Sequence, residues 1–136
     1  MCTVSLILGI IVLVYVIHYA SVGIKNREYQ EFPLRYEELN ITETPQEAFS
    51  EYYYVGKSYF SMVQFPGTKI YFYKNFLVVN YRGHAQLFEY NKKIMQVKKD
   101  IRGNRVSILT DMGEAYFFVN KRQLNTFNSL LEQASI

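Results

Sequence analysis

Apolar and polar residues alternate through most of the second half of the chain. In residues 76–82 Leu77, Val79 and Tyr81 fall on one side, and in residues 114–119 Phe117 lies opposite Tyr116. A period of two is typical of strands with one buried face. Turn-compatible pairs such as Pro66-Gly67 and Arg82-Gly83 separate the runs. The pattern predicts seven strands, at residues 58–65, 68–73, 76–82, 84–90, 93–100, 105–110 and 114–119.

The period changes after Val119. Leu124, Phe127 and Leu131 recur at helical spacing, and Asn120 precedes them as a plausible N-cap. This pattern predicts an amphipathic helix from about Asn120 to Ser135 whose apolar stripe covers one end of the β-structure.

A second helix start is encoded at Thr44-Pro45-Gln46-Glu47. Thr and Glu are spaced as in a capping box, and Pro stands at the first helical position. These residues predict a short helix that begins at Pro45 and ends near Gly56.

The first 24 residues are almost entirely apolar. No side chain from Thr3 to Ile24 carries a formal charge, and about 20 such residues can cross a bilayer as a helix. The run predicts a single transmembrane anchor helix over residues 1–24, with a cleaved signal peptide and a secreted or extracytoplasmic domain as the alternative. Lys25, Arg27 and Arg35 follow the run, so a retained anchor would leave the C-terminal domain in the cytoplasm of a cell-membrane protein.

Charge divides the rest of the chain in two. Residues 26–56 carry seven glutamates against two arginines, a net charge of −5, whereas residues 57–136 carry twelve lysines and arginines against five acidic residues, a net charge of +7. We interpret residues 25–56 as an acidic juxtamembrane linker and residues 57–136 as one folded domain. The chain has 13 Tyr and 10 Phe, which favour strands and supply the bulk of a small core.

Residues with catalytic or metal-binding chemistry are few and scattered. The two histidines, His18 and His84, lie far apart, Cys2 is the only cysteine, and the glycines form no phosphate-binding loop. We therefore expect no enzyme activity, no metal site and no cofactor.

One cluster of cations stands out between residues 92 and 105. A membrane surface attracts such a cluster through its anionic lipids, and an acidic protein would do the same. The competing interpretation is a solvated strand face with lysines that protect a sheet edge, and nucleic acid is disfavoured because the aromatic residues do not interleave with the lysine pairs. The members of this basic cluster are Lys92, Lys93, Lys98, Lys99, Arg102 and Arg105.

The order of the predicted elements resembles the pleckstrin-homology (PH) superfold, and the sequence is similar in texture to bacterial PH-like domains. The resemblance covers about residues 57–134 and rests on "GTKIYFYKNFLVVNYRG", "LFEYNKKIMQVKK" and "VSILTDMGEAYFFVNKRQLNTFNSLL". It implies a mainly β fold, a seven-stranded barrel or pair of orthogonal sheets capped by the C-terminal helix, preceded by the single transmembrane helix. An α+β domain with one curved sheet is the alternative. The basic pattern that marks phosphoinositide-binding members is absent.

These observations predict a membrane-anchored, non-catalytic PH-like module. It would hold a protein partner, a second copy of itself or an anionic lipid surface at the membrane. The alternative function is a structural subunit of a larger membrane or envelope assembly.

Overall fold

The computed structural model describes residues 9–14, 31–56, 62–111 and 113–134 of this chain. Residues 9–14 are helical, and a short 3-10 turn covers Tyr36–Leu39. The remaining elements are eight strands and one helix: β1 (Leu34–Arg35), β2 (Glu47–Gly56), β3 (Val63–Phe72), β4 (Phe76–Tyr81), β5 (His84–Glu89), β6 (Met95–Asp100), β7 (Gly103–Thr110), β8 (Gly113–Val119) and α1 (Lys121–Ala134).

All eight strands belong to one antiparallel sheet in the order β1-β5-β4-β3-β2-β8-β7-β6. The sheet is open, with β1 and β6 as its edges. This finding corrects the predicted seven-stranded barrel or pair of separate orthogonal sheets. The reason is β2, which pairs with β3 along most of its length and with β8 through Tyr54, Val55 and Gly56, so it joins both halves into one ladder.

The main hydrophobic core lies on the inner face of this sheet. Residues from both halves line it, among them Val79 of β4 and Val106 of β7, so the sheet wraps around the core. Phe127 of α1 is completely buried, with its ring centroid 5.7 Å from that of Phe72. The predicted capping helix is thus confirmed.

The start of α1 is held by a reciprocal cap. The backbone N–H of Gln123 donates to Oδ1 of Asn120 at 2.9 Å, and the backbone N–H of Asn120 donates to Oε1 of Gln123 at 2.9 Å. Two donors that lack partners within the helix are therefore satisfied, which confirms Asn120 as the N-cap.

The short helix predicted from Pro45 is wrong, because residues 47–56 form strand β2. Phe49, Tyr53 and Val55 alternate with more exposed residues and point into the core. The backbone N–H and C=O groups of this segment pair with β3 and with β8. This pairing is more stable than a short isolated helix of about ten residues, which is marginal in water. Tertiary pairing therefore overrides the local capping signal.

Pro66-Gly67 was expected to be a turn between two strands, but it lies within β3. Glu51 pairs with Thr68 and Tyr53 pairs with Phe65, so two residues of β3 oppose one residue of β2. Gly67 adopts φ 67°, which favours glycine at such a bulge. The strand bends there and continues, and residues 58–61 of the predicted strand 58–65 lie outside the described residues.

Residues 31–41, predicted as part of a linker, pack against the sheet. Phe32 is completely buried in the main core. Tyr36, Leu39 and Ile41 lie over the outer face of β3–β5, where the Tyr36 ring stacks on Tyr71 with centroids 5.5 Å apart. This acidic segment thus adds a second layer to one half of the sheet.

The prediction of a transmembrane helix is corrected. Within the described ranges no helix has both the length and the apolar character that are needed to cross a membrane. Of the predicted span, residues 9–14 are described, and they are helical. The rest of residues 1–24, including Cys2 and His18, lies outside the described residues.

Candidate binding surface

The structure divides the basic cluster into two groups along β6. Lys92 and Lys93 precede the strand and line a shallow pocket with Leu131 and Ala134, at the C-terminal end of α1. The other four members lie at the far end of the β6–β7 hairpin, where Lys98 pairs across the ladder with Arg105. The six residues of β6 span about 20 Å at roughly 3.3 Å per residue, so the six cations do not form one compact site.

The first group is partly neutralised at the surface. Nζ of Lys92 lies 2.7 Å from Oε1 of Glu132, and both side chains are largely exposed. Exposed ion pairs contribute about 0–1 kcal/mol to stability, so this pair does little to hold Lys92 in place. Lys93 has no ion pair among the described residues.

Two carboxylates, those of Glu114 and Asp100, form ion pairs with cations of the second group. Oε1 of Glu114 accepts hydrogen bonds from Nζ of Lys98 at 3.2 Å and from Oγ of Ser107 at 2.6 Å, and it lies 3.8 Å from the Arg105 guanidinium. Burial raises the pKa of Glu114, but the hydrogen bonds from Ser107 and Lys98 and the nearby cations outweigh it, so the pKa is lowered overall. Arg105 also pairs with Asp100 at 3.5 Å.

An aromatic face lies beside these cations on the outer side of β2 and β8. We use this term for Tyr54, Tyr116 and Phe118. Tyr54 and Tyr116 are cross-strand partners whose rings stack with centroids 4.8 Å apart, and Phe118 meets both rings edge-on. Strand alternation places these rings outward, because Ala115, Phe117 and Val119 of the same strand fill the core.

Two arginines of the hairpin lie over the aromatic face. The Arg105 guanidinium lies 4.5 Å from the centroid of the Tyr116 ring, and the Arg102 guanidinium lies 4.8 Å from that of Phe118. Both distances are within the range of cation–π attraction. A hydrogen bond with the Tyr116 hydroxyl raises the pKa of Arg102 further above its ordinary value.

Lys99 and Arg102 differ from their neighbours in having no ion pair within the described part of the chain. Both are exposed. Arg102 is oriented by the rings beneath it, so less side-chain freedom is lost when an anion binds. Among the described residues, the four cations of the hairpin form ion pairs only with Asp100 and Glu114, so these six side chains together carry a charge of +2.

Edge protection, the competing interpretation, accounts for part of the cluster. β6 is an edge strand, so Lys98 and Lys99 also discourage pairing with other chains. Lys92, Lys93 and Arg102 lie outside the strand and do not serve that purpose. The solvated face of the same competing interpretation covers those three residues.

The aromatic face was not identified from the sequence as a binding element. The alternation in residues 114–119 places Tyr116 and Phe118 on the side opposite the core. This alternation was the one feature of the sequence that could have indicated an outward aromatic face. Their stacking on Tyr54 depends on the pairing of β2 with β8, and residues 47–56 were expected to be a helix.

Acidic, histidine and cysteine side chains do not cluster in the described part of the chain. This part contains no group of three His, Cys, Asp or Glu side chains arranged to hold a metal ion. One pocket of about 170 Å³ on the outer face of the hairpin brings Lys93 and Lys98 together with Glu114. Two further pockets, of about 380 and 410 Å³, are open and are both lined by Tyr90 and by Ala134 at the C-terminal end of α1.

Comparison with protein-family models, with curated proteins and with solved structures finds no match for this chain. The resemblance to PH-like domains therefore remains a prediction.

Proposed function

We propose that this chain is a non-catalytic binding module, of PH-like type, that engages an anionic partner through the far end of its β6–β7 hairpin. The observation that carries the proposal is the excess of cations there. Lys98, Lys99, Arg102 and Arg105 outnumber the two carboxylates that face them, and Lys99 and Arg102 are exposed without an ion pair in the described part of the chain.

The partner in this proposal is an anionic lipid surface or an acidic protein surface. Each cation near an anionic bilayer contributes about 1 kcal/mol of attraction, and that attraction is screened as salt is added. The predicted cytoplasmic location depended on cations that follow an anchor helix, and because no such helix lies within the described residues, the proposal does not depend on that location.

The test measures flotation of the full chain with neutral vesicles of phosphatidylcholine and with vesicles that also contain phosphatidylserine. A triple variant, Lys98→Glu, Lys99→Glu and Arg102→Glu, should lose the part of the binding that requires anionic lipid. The matched control carries the same change of charge on other surface cations: Lys69→Glu, Lys74→Glu and Arg82→Glu, all exposed. Any contribution from the apolar N-terminal residues is common to both variants and cancels.

A parallel measurement with immobilised polyglutamate identifies an acidic protein partner. Binding to polyglutamate but not to anionic vesicles, lost in the hairpin variant, would support the protein arm of the proposal. Equal loss in both variants, or no binding to either anionic surface, would refute a binding function for the hairpin.

A second candidate function, a subunit of a larger assembly, is favoured by the exposed apolar residues near the N-terminus. Five consecutive side chains, Ile10 to Val14, are 54–61% exposed. A contiguous apolar surface of this kind requires a cover. Purification with a partner in fixed stoichiometry, lost on Ile11→Ser and Leu13→Ser, would support this function, and a species that contains only this chain would contradict it.

A further inference from the structure

The tip of the β6–β7 hairpin is a short and well-fixed turn. Asp100 pairs with Gly103 across the ladder, so only Ile101 and Arg102 connect the strands. The backbone N–H of Arg102 donates to Oδ1 of Asp100 at 2.8 Å, and Gly103 adopts φ 128°, a conformation that side chains with a Cβ rarely take. The tip therefore holds its side chains in a defined direction.

Ile101 at this tip projects entirely into solvent. Its relative exposure is 105%, the largest value among the large hydrophobic side chains that the structure describes. An isolated exposed apolar residue needs no explanation by itself. Its surroundings supply the second observation.

Cations flank the turn on both strands, and Asp100, which directly precedes Ile101, is paired with Arg105 at 3.5 Å. Lys99 precedes Ile101 by two residues, and Arg102 follows it directly. Lys98 and Arg105 pair across the two strands, one position further from the tip than Lys99 and Asn104. Arg102 is folded back over Phe118 and Tyr54, with its guanidinium 4.8 Å and 5.9 Å from their centroids, so it leaves the apex to Ile101. An apolar apex with a collar of cations matches the profile of an anionic bilayer, in which acyl chains lie beneath a layer of negative headgroups.

We propose that Ile101 inserts into the interface of an anionic lipid bilayer while Lys99 and Arg102 contact the lipid phosphates. This proposal rests on the proposed function and names its partner. The convex shape of the tip favours a bilayer over a protein, since a deformable surface accepts a projecting side chain without a preformed pocket. The guanidinium and ammonium groups can reach the headgroup layer while the Ile101 side chain passes below it.

The absence of tryptophan from the chain permits a direct test. Ile101→Trp creates a single fluorescent reporter at the apex of the full chain. The control, Asn75→Trp, places the reporter on the exposed β3–β4 turn, which lines a pocket with Gln133 and Ala134 at the other end of the domain. With phosphatidylserine-containing vesicles, the emission of the Ile101→Trp chain should move to shorter wavelength and be quenched by brominated acyl chains, and that of the control should do neither.

Removal of the apolar group tests the energetics of insertion. Ile101→Ser should weaken binding to anionic vesicles by roughly tenfold to hundredfold, the range expected from the burial of one Ile side chain. This loss should be the same at low and high salt, whereas the loss caused by Lys99→Glu with Arg102→Glu should shrink as salt rises. Ile101 contacts solvent only, so the Ser variant should fold normally.

The outcomes separate the two proposals. If the chain binds anionic vesicles through the hairpin cations but the emission of Ile101→Trp does not change, insertion is wrong and the proposed function stands. Blue-shifted emission in both tryptophan variants would also contradict insertion at the tip. If no charge-dependent binding to vesicles exists, the insertion proposal fails with it, and polyglutamate binding then decides whether the protein arm of the proposed function survives.

Discussion

The ring of Phe32 stands edge-on to the ring of Phe65, with centroids 4.9 Å apart and planes at 90°. Phe32 also lies 5.6 Å from Tyr53 and stacks on Tyr81 at 5.5 Å. These contacts bring a residue that precedes β1 into the core formed by β2, β3 and β4. Phe32, two residues before the first strand, is therefore part of the folded domain.

Phe32→Ala should destabilise the protein by about 3–5 kcal/mol, the usual cost of removing a fully buried Phe. Leu34→Ala is the control, because Leu34 is two residues away and exposed. The midpoint of urea unfolding measures both. Equal small effects in the two variants would show that Phe32 is not part of the core.

Tyr53 and Tyr90 are buried tyrosines with different hydrogen bonding, so their Phe variants should differ. The Tyr90 hydroxyl donates to the carbonyl of Tyr73 at 2.7 Å, whereas the Tyr53 hydroxyl has no hydrogen-bond partner among the described residues. Tyr90→Phe should cost about 1 kcal/mol, and Tyr53→Phe should be neutral or stabilising at pH 7. A larger loss from Tyr53→Phe in urea unfolding would contradict this expectation.

The burial of Tyr53 should also make the stability of the protein depend on pH in the alkaline range. Burial, and after it the charge of Glu31, raises the pKa of Tyr53 above its ordinary value of 10.0. The unfolded chain therefore ionises first, so this residue leaves stability unchanged below about pH 10 and lowers it as the pH rises further. Above pH 10, Tyr53→Phe should lose less stability than the unmodified chain does; parallel pH profiles would refute the prediction.

Glu114→Gln should tighten binding to anionic vesicles by about fivefold, because it removes one of the two carboxylates that face the hairpin cations. Glu132→Gln, at the other end of β6, is the control and should have a smaller effect. The pKa of Glu114 is lowered in the fold, so its carboxylate stabilises the protein above about pH 4.5, and that contribution is lost as the pH falls through the folded pKa. In the Glu114→Gln variant, the free energy of unfolding should therefore fall less steeply as the pH is lowered below about 4.5. An unchanged pH dependence would argue against the ion pairs described.

Asn120→Ala should destabilise the protein by about 1 kcal/mol through loss of the α1 cap. Asn125→Ala is the matched control, an exposed position inside the same helix, where alanine is the better helix former. Thermal unfolding followed by circular dichroism reports both. A loss as large at Asn125 as at Asn120 would contradict the role of the cap.

The elements from residue 76 onward could be predicted closely from the sequence. Strands 76–81, 84–89, 95–100, 103–110 and 113–119 agree with the predicted runs to within two residues at each end, and α1 begins one residue after its N-cap Asn120. Three hairpins, β4–β5, β6–β7 and β7–β8, account for these strands, and α1 has a local cap. Short-range periodicity and turn chemistry are sufficient to outline these strands, because each has at least one partner that is its neighbour in sequence. The distant pairing of β8 with β2, and the placement of β5 and β6 in opposite halves of the sheet, are not encoded locally.

The earlier part of the domain could not be predicted in this way. The capping signal at Thr44 and the turn signal at Pro66-Gly67 are local, but the outcome at both places is decided by β2, which pairs with β3 and with the distant β8. The apolar run 3–24 predicted a membrane span that the described residues do not support.

The sequence by itself determined the mainly β composition, the C-terminal helix and the presence of six cations between residues 92 and 105. Only the tertiary structure decided how those cations are arranged. The pairing of β2 with β8 builds the aromatic face on which Arg102 and Arg105 lie, and the length of β6 places Lys92 at the opposite end of the strand from Arg102. The physical reason is that contacts between residues more than sixty positions apart, such as Tyr54 with Tyr116, leave no periodic trace in the sequence.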